Sequence, residues 1–323
     1  MPPIFSIIIV NWNGERFLPD CLEAVFSQTR APDEVIVIDN GSDDGSLAAI
    51  EKYRDNIVVI ESSKNLGFAA ACNLGALEAK GDWLIFLNPD AFPDTDWLDS
   101  YESAIRRNPN VVSFTGLLLS QDRCCIDGAG DVYHISGLAW RRLHGTPVSQ
   151  AAAFEQQVFS ACGASSVVKR EIFIAVGGFD EDFFCYMEDV DLGFRLQLLG
   201  YQCLLVPDAV ARHIGSASTG IRSEFVTYHG HRNLEWTFVK NMPIVILLTV
   251  LPLHLLLILV SLVLFTLRGQ GRVIVRAKYD AVIQLPKFWR KRKKIQYSRR
   301  RSVTGLLQVL NKSVFPLSRR SSA

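Results

Sequence analysis

The sequence predicts an α/β protein with a parallel sheet, followed by C-terminal helices that associate with a membrane. Three observations predict this fold class. Short β-branched runs alternate with helix-like stretches over the first 115 residues. An uncharged segment of 25 residues, 243–267, comes after the α/β part. The chain then ends in a basic tail, 268–323, with 16 Lys and Arg against one acid, Asp280.

Apolar runs predict the strands of the sheet, and the segments between them are long enough for crossover helices on both faces. The predicted strands are 4–10, 34–39, 57–61, 83–87, 111–114 and one near 164–168. Segment 116–180 is less periodic and rich in Gly, Ser and Ala, which predicts mainly loops over a strand edge, where substrate selection often resides. A helix is predicted over 187–199.

Polar residues follow the predicted strands. They are Asn11 to Asn13, Asn40 to Gly45, Lys64 to Gly67 and Asn88 to Asp90. Turn formation alone favours these residue types. Ligands of open parallel sheets bind at the carboxyl ends of the strands, so four such clusters on one edge favour a ligand site.

Three acidic residues open the helix predicted over 187–199: Glu188, Asp189 and Asp191. The helix dipole accounts for acids in a first turn, at about 0.3 to 1 kcal/mol each. Asp191 lies four residues before Arg195 and can pair with it. This pairing leaves Glu188 and Asp189 as the groups available for chemistry.

Five motifs occur in a characteristic order. They are VIDNGSDDGS at 37–46, NLGFA at 65–69, FLNPD at 86–90, GGFD at 177–180 and EDVD at 188–191. Together they resemble family-2 glycosyltransferases of the GT-A fold, and most closely the bacterial rhamnosyltransferase type. The resemblance covers about residues 4–240. It implies a Rossmann-like nucleotide-binding sheet with an acceptor subdomain.

The resemblance also assigns residues to the donor and to a metal. Asp39 matches the base-reading acid, and Asp90 matches the last residue of the family's DXD motif. The triplet here is Asn88-Pro89-Asp90, so one carboxylate remains for a divalent ion, Mn²⁺ or Mg²⁺. One carboxylate can suffice when the diphosphate supplies further oxygens. His213 lies where some related enzymes place a second metal ligand, although a lone His is often structural.

Asp189 matches the catalytic base of the family, with Glu188 beside it. Like charges should raise its pKa and suit it to take a proton from an acceptor hydroxyl. The resemblance implies inversion at the anomeric carbon. The alternative is that the acidic cluster only caps a helix.

Other strand-end residues are candidates for the nucleotide pocket: Asn11, Asp43, Asn65 and Asn73. Turn formation explains Asp43 and Asn65 nearly as well. Arg232 lies just before the apolar segment. It could neutralise the leaving diphosphate or contact lipid phosphates.

Four regions follow from these assignments: a nucleotide-sugar-binding half (1–115), an acceptor-binding and catalytic half (116–241), a hydrophobic membrane segment (242–267) and a basic amphipathic tail (268–323). The predicted function is transfer of a sugar, rhamnose from dTDP-rhamnose by resemblance, to a lipid-linked or polysaccharide acceptor. The alternatives are another UDP- or GDP-sugar, or a noncatalytic nucleotide-sugar-binding scaffold subunit. An oxidoreductase is disfavoured because no Gly-x-Gly-x-x-Gly follows the first strand.

Charge divides the chain at residue 267. Residues 1–267 hold 18 basic and 32 acidic side chains, so an acidic body precedes the basic tail. Nucleotide sugars are cytosolic, and the positive-inside rule also keeps the tail in the cytosol. We therefore predict a hairpin, a re-entrant segment or an interfacial helix on the cytoplasmic face of the membrane, rather than a single crossing.

The tail is predicted to bind anionic lipids, which attract basic residues beside a membrane segment, and not nucleic acid. The seven cysteines have no Cys-x-x-Cys spacing, which favours reduced thiols over disulfides or a zinc site.

Overall fold

The computed structural model describes residues 2–215 and 223–313. Ser216 and the last ten residues of the predicted tail lie outside this part. The strands are β1 (Phe5–Asn11), β2 (Glu34–Asp39), β3 (Val58–Glu61), β4 (Trp83–Leu87), β5 (Ala91–Pro93), β6 (Ser113–Leu119), β7 (Ile126–Gly128), β8 (Asp131–Tyr133), β9 (Ala139–Arg141), β10 (Gln156–Val158), β11 (Ser165–Lys169) and β12 (Cys203–His213).

The helices alternate with the strands in the first half and continue alone at the C-terminus. They are α1 (Leu18–Phe26), α2 (Ser46–Ala49), α3 (Phe68–Glu78), α4 (Trp97–Arg107), α5 (Arg170–Ala175), α6 (Glu188–Leu199), α7 (Glu224–Asn241), α8 (Ile244–Leu267), α9 (Gly271–Ile283), α10 (Leu285–Ser298) and α11 (Val303–Val309).

The first half of the sheet is parallel, as the sequence predicts. Strands β3, β2, β1 and β4 lie side by side in that order, all parallel. Helices α1 and α4 pack on one face of the sheet and α3, α5 and α6 on the other. Every residue of β1 and β4 is buried, which explains why both strands are continuous apolar runs.

The second half of the sheet is mixed. Strand β11 lies between β4 and β6 and is antiparallel to both, while β12 is parallel to β6. The short strands β5, β7 and β10 add further antiparallel pairs. The sequence predicts the parallel half of the sheet but not the antiparallel pairs, because most of these pairs, such as β11 with β4 and β10 with β12, join segments far apart in the chain. The loops predicted over 116–180 include β7 to β10.

The C-terminal helices fold back onto the α/β body. Trp236 of α7 is 1% exposed and stacks on Phe288 of α10, with ring centroids 4.3 Å apart. Its indole N–H donates to the carbonyl of Ala281 in α9 at 3.2 Å. Further along, the amide of Asn311 donates to the carbonyl of Tyr133 in β8. Described residues of the basic tail thus belong to the same folded unit as the acidic body.

Some basic residues of the tail form ion pairs or hydrogen bonds with the acidic body. Lys291 of α10 pairs with Asp180 and Asp182, and Lys278 of α9 pairs with Glu235. Arg292 is buried and donates to the carbonyl of Val239 at 2.7 Å. Because these basic side chains contact the body, they are not presented to a membrane.

Helix α8 carries the long apolar segment. In the described part of the chain it is the one helix long and apolar enough to cross a membrane, with a mean hydropathy of 2.8 over its most apolar stretch. It is a continuous helix that contains Pro252, so the structure shows no helical hairpin within this segment.

Truncation of Trp236 should loosen the C-terminal helices. For Trp236→Ala we expect the free energy of unfolding to fall by about 3 to 5 kcal/mol, because a large buried aromatic ring is lost from the junction of α7, α9 and α10. Urea unfolding measures the change. Trp289→Ala, on the same helix as Phe288 but 43% exposed, is the control and should cost less than about 1 kcal/mol. Equal losses would contradict this account of the junction.

Candidate active site

A cleft of about 380 Å³ opens at the carboxyl ends of the parallel strands. Residues from both halves of the chain line it, and they include five of the predicted site residues: Asn65, Asp90, Glu188, Asp189 and His213. Strand ends, the start of α6 and the end of β12 therefore converge on one space. This is the edge where ligands of open α/β sheets bind.

The ends of β1 and β2 form a hydrogen-bonded group near the cleft. Asn11 is buried, and its side-chain amide donates to Asp39 at 3.0 Å and to the Ser42 hydroxyl at 3.1 Å. The Ser42 amide donates to the second Asp39 oxygen at 3.2 Å. These bonds orient the Asp39 carboxylate, whose remaining lone pairs can accept from a ligand.

The next strand-end loop joins this group to the cleft. The Asn40 side chain donates to Asn65 at 3.1 Å and accepts from the Leu66 amide at 2.8 Å. Asn65 also accepts a hydrogen bond from the Gly67 amide, so its side-chain oxygen helps to hold the loop. Asp43 is exposed, and its amide donates to the Asn13 side chain.

Asp90 and His213 face each other across the β5–β12 pair. The His213 Nε2 atom lies 3.4 Å from an Asp90 carboxylate oxygen. The other ring nitrogen, Nδ1, lies 2.7 Å from Asp127 Oδ2. A carboxylate on Nδ1 fixes the orientation of the ring and leaves Nε2 directed at Asp90.

These residues fit a divalent cation. His213 Nε2 is buried and makes no hydrogen bond within the described residues. A buried imidazole nitrogen that faces a carboxylate oxygen is a donor set that suits Mn²⁺ or Mg²⁺ once diphosphate oxygens are added. The described residues contain no cluster of three or more His, Cys, Asp and Glu side chains arranged to hold a metal alone. A cation here would therefore depend on the donor for part of its coordination.

Glu188 and Asp189 begin α6 at the wall of the cleft. The Gly163 amide donates to Asp189 Oδ2 at 2.8 Å. A Cβ atom at position 163 would lie 3.2 Å from that oxygen, so glycine permits this close approach. Glu188 is buried, and its Oε2 atom has no hydrogen-bond partner within the described residues.

Asp191 takes no part in the cleft. It is fully buried and pairs with Arg195 at 2.9 Å, as the sequence predicts, and also with Lys240 at 2.8 Å. The Asn241 side chain donates to it as well. This network holds α6 against α7 and leaves Glu188 and Asp189 as the carboxylates of α6 that face the cleft.

Burial is the main reason why the pKa values of Asp189 and Glu188 are raised. It raises the pKa of Asp189, while the Gly163 and Val190 amides and Arg141 lower it in part. Burial and then the Asp189 charge raise the pKa of Glu188 well above its usual range. The predicted direction is confirmed for Asp189, but its cause is desolvation rather than like charge. Both shifts favour the protonated form of the carboxyl group.

The sequence of this chain matches a known protein family. Residues 6–177 match the model of glycosyl transferase family 2. The chain belongs to this family. An N-acetylglucosaminyl-diphospho-decaprenol L-rhamnosyltransferase of Mycobacterium tuberculosis (strain ATCC 25618 / H37Rv) is 30% identical over 243 residues, which cover 68% of this chain and 79% of that protein. The O-antigen biosynthesis protein RfbC of Myxococcus xanthus is 30% identical over 227 residues, covering 67% of this chain and 18% of that protein.

Solved structures show that the family-2 chain has the GT-A fold. GalNAc-T7 with UDP, GalNAc and Mn²⁺ superposes with a TM-score of 0.60 at 19% identity, covering 74% of this chain and 48% of that one. Mannosyltransferase PcManGT from Pyrobaculum calidifontis, in complex with GDP-Man and Mn²⁺, gives 0.55 at 17% identity, covering 96% and 87%. The protein is therefore a family-2 glycosyltransferase with the GT-A fold.

Five predicted donor residues of this glycosyltransferase lie outside the cleft lining: Asn11, Asp39 and Asp43, described above, and Asn73 and Arg232. Asn73 of α3 donates to the Phe179 carbonyl at 2.9 Å and accepts from the Phe179 amide. Arg232 is buried, with its guanidinium 4.2 Å from the centre of the Trp236 ring and bonded to the Phe183 carbonyl. Both side chains hold the segment that precedes α6. Their contact with the donor stays a prediction, and Arg232 is not presented to lipid phosphates.

Three charged residues of the cleft region were not predicted: Asp127, Asp131 and Arg141. Asp131 and Arg141 line the cleft of the glycosyltransferase, and Arg141 donates to Asp127 at 2.6 Å. Burial opposes the charge of Asp127, but bonds to His144 and His213 together with Arg141 lower its pKa. All three come from the irregular segment 116–180, where no periodicity marked them. Charged residues next to glycines and aromatic residues were the available signal.

The loop before α6 is strained. Phe184, Tyr186 and Met187 have φ angles of 65°, 67° and 71°, a region that side chains other than glycine seldom adopt. Gly67 accommodates this loop, since a Cβ atom there would lie 2.5 Å from the Phe184 ring. Such strain concentrates at functional sites of enzymes, and here it places Glu188 and Asp189 at the cleft.

Replacement of Asp131 should stabilise the protein above acidic pH. Burial and then the Asp189 charge raise the pKa of Asp131 well above its usual range. A carboxyl group with a higher pKa in the folded state binds more protons when folded, so the free energy of unfolding falls as pH rises above about 3.9. Each pKa unit is worth about 1.4 kcal/mol.

We therefore expect Asp131→Asn to raise the free energy of unfolding at pH 8 and to leave it nearly unchanged at pH 4. Asparagine preserves the bond from the Ser160 hydroxyl, which is 3.0 Å long. Urea unfolding across this pH range gives the comparison. Asp55→Asn, at an exposed position, should show no such dependence. A stabilisation that is equal at both pH values would contradict the assignment of burial as the cause.

Proposed function

We propose that this protein is an inverting glycosyltransferase that moves rhamnose from dTDP-rhamnose to a hydroxyl of a lipid-linked saccharide. One observation carries the proposal. Glu188, which is buried, and Asp189, which is half-buried, face the same cleft as Asp90 and His213. A base and a donor-diphosphate site on one cleft are what a single displacement at the anomeric carbon requires.

The proposed roles follow the geometry. Asp39, held by Asn11 and Ser42, accepts the N3–H of the thymine base. Asp90 and His213 would hold a divalent metal, whose charge would offset the negative charge on the leaving diphosphate. Arg141, the cleft-lining cation, contributes positive charge on the same side. Residues 1–115 thus bind mainly the nucleotide, and 116–241 supply the base and the acceptor side.

Asp189 takes the proton from the acceptor hydroxyl as its oxygen attacks the anomeric carbon. Its raised pKa makes it a stronger base than an exposed aspartate. The two cleft cysteines are poor nucleophiles: burial raises the pKa of Cys162 to about 12 and that of Cys185 well above its usual range. Both thiols therefore remain protonated at neutral pH, which disfavours a covalent cysteine intermediate.

The proposed identities of the sugar and the acceptor come from a relative of this chain. The Mycobacterium tuberculosis protein is named as a rhamnosyltransferase that acts on a diphospho-decaprenol-linked sugar. Its 30% identity over two thirds of this chain supports rhamnose and a lipid-linked acceptor as the first hypothesis. The cytoplasmic face of the membrane is the location we propose, since donors are cytosolic and the apolar helix α8 adjoins a basic tail.

A donor panel tests the proposal. We would measure metal-dependent donor hydrolysis and transfer with dTDP-rhamnose, UDP-sugars and GDP-sugars, each with and without Mn²⁺. We expect dTDP-rhamnose to give the highest kcat/KM and transfer to a polyprenyl-diphosphate saccharide, with inversion seen by NMR of the product. A preference for a UDP- or GDP-sugar would overturn the donor assignment. Donor binding without turnover across the panel would favour a noncatalytic scaffold.

A further inference from the structure

Helix α8 lies along α7 instead of projecting from the body. His254, near its middle, stacks on Phe238 with ring centroids 3.9 Å apart and contacts Glu235 through Nε2 at 2.6 Å. Near the end of α8, Phe265 contacts His231 at 4.5 Å. The contact residues descend along α7 as they ascend along α8, so the two helices are antiparallel.

Both ends of α8 are tied to the same body. The first end continues directly from α7 through the buried Met242. Beyond the other end, the Thr227 hydroxyl donates to Gln270 at 2.9 Å, and Tyr228 donates to Asp280 of α9 at 2.6 Å. At about 1.5 Å per residue, α8 is about 36 Å long and could span a bilayer by length alone. A crossing would have to place one of these attached ends on the far side, which the contacts oppose.

The outward face of α8 is apolar and exposed. Only 22% of its most apolar stretch is buried within the protein. The exposed side chains on this face include Val245, Leu248, Leu255, Leu256, Leu259 and Val263. Helix α9 packs beside α8 and extends the surface with Val275, Tyr279 and Val282, which lie on one stripe of that helix.

Basic residues border this apolar surface. Arg268, Arg272 and Arg276 are exposed at intervals of four residues from the end of α8 along α9, beside the stripe of Val275, Tyr279 and Val282. Buried basic residues of the tail, such as Lys278 and Arg292, contact the body, whereas these three arginines are exposed on the outer surface. Apolar side chains bordered by arginines match the hydrocarbon boundary and the anionic headgroups of one leaflet.

We infer that the outer face of α8 and α9 docks in the plane of an anionic lipid bilayer, as an interfacial surface rather than a membrane span. The docking surface consists of the exposed residues of α8 and α9 named above. Of the topologies that the sequence left open, the structure fits the helix that lies in the interface.

The docking surface is also close to the cleft. Phe225 and Gly230 of α7 line the cleft, while Thr227 and His231 of the same helix segment contact the end of α8 and its following turn. Helix α7, about 10 Å across, thus lies between the cleft and α8, whose outer face carries the docking surface. A saccharide carried on a membrane lipid would reach the cleft over a short distance. This link to the acceptor rests on the proposed function, whereas the docking itself does not.

Binding to vesicles tests the electrostatic part. The full chain is mixed with preformed vesicles of phosphatidylcholine alone or with added phosphatidylglycerol, without donor or acceptor, and the bound fraction is measured by flotation. We expect binding to require phosphatidylglycerol, and Arg272→Gln with Arg276→Gln to weaken it about 30-fold. Lys52→Gln with Lys80→Gln removes the same charge near the start of β3 and β4 and should leave binding unchanged. Equal binding to neutral vesicles, or equal losses in both variants, would overturn the inference.

The apolar part has its own matched pair. Leu255→Gln with Leu259→Gln should weaken vesicle binding at least about tenfold, since each buried methylene contributes to partitioning. Leu77→Gln with Phe154→Gln alters exposed apolar residues elsewhere and should have no effect. If the native chain instead forms a dimer that the α8 variant abolishes, and no vesicles are bound, the face is an interface between copies and the inference fails.

Depth measurements separate docking from crossing. A fluorescent amino acid is incorporated at Leu248, Leu255 or Val263, which share one face of α8, and is quenched by lipids brominated at shallow or deep positions. An in-plane helix gives the same shallow depth at all three sites. A spanning helix would place Leu255 deepest, and that profile would refute the inference. Loss of docking with intact sugar transfer would leave the proposed function standing, and the reverse result would leave docking standing.

Discussion

Asp189→Asn should abolish sugar transfer while donor binding stays nearly intact. The substitution keeps the shape of the side chain and one oxygen for the Gly163 amide, but it removes the group that accepts the proton. General-base catalysis contributes about 10² to 10⁴ to the rate, so we expect kcat to fall by at least about 10³. Transfer rates with a soluble acceptor and calorimetric binding of dTDP report the two effects separately.

Glu188→Gln is the matched control. The pKa of Glu188 is raised well above its usual range, so its protonated form is the one that glutamine imitates. We expect a loss of less than about tenfold, far smaller than for Asp189→Asn. A larger loss in Glu188→Gln than in Asp189→Asn would exchange the two roles. Retained turnover in Asp189→Asn would refute Asp189 as the base.

The pH dependence follows from the same assignment. Burial raises the pKa of Asp189, so the ionised, active base is lost as pH falls through that raised value. We expect kcat/KM to decline on the acid side at a pH above that of an exposed aspartate.

Loss of Asp90 should abolish productive metal binding. Its carboxylate and His213 Nε2 are the two groups that face each other at the candidate metal site. For Asp90→Asn and for His213→Ala we expect the affinity for Mn²⁺ in the presence of dTDP to fall more than about 100-fold, beyond the range typical of outer-sphere substitutions. Electron paramagnetic resonance of free Mn²⁺ measures this without turnover.

A graded series makes that test specific. Asp127 contacts His213 only through Nδ1, so Asp127→Asn should cost about 10- to 100-fold in Mn²⁺ affinity, less than loss of either ligand. Asp208→Asn, an exposed position on the same strand as His213, should leave the affinity unchanged. Normal Mn²⁺ binding by Asp90→Asn would exclude this metal site. Equal effects of Asp127→Asn and Asp208→Asn would show that Asp127 does not position His213.

The first half of the fold could be predicted because its information is local. Strands β1 and β4 are buried on both faces, so they appear in the sequence as unbroken apolar runs. Their carboxyl ends meet at one edge, which is why the motifs at Asn65 and Asp90 converge with Glu188 and Asp189 in one cleft. Spacing alone also predicted the pair between Asp191 and Arg195.

The second half depended on contacts between distant segments. Strands β7 to β10 are three residues each, too short to show an alternating pattern in the sequence. Strands β7 and β8 pair with the neighbouring β6 and β9, whereas β10 pairs with β12, which lies far along the chain. Asp127, Asp131 and Arg141 come from these strands, and their roles arise from neighbours such as His213 and Asp189. Asn73 and Arg232 donate to backbone carbonyls of the segment before α6, contacts that the sequence did not predict, and their contact with the donor stays a prediction.

The sequence by itself indicated the family, the candidate catalytic pair and the division into an acidic body and a basic tail, since motif order and charge need no coordinates. Only the tertiary structure decided how that division is used. Lys278 and Lys291 pair with carboxylates of the body, while the arginines of α9 remain exposed beside the apolar face of α8. The physical reason is that composition counts charges, whereas packing determines which of them are buried with a partner and which face outward.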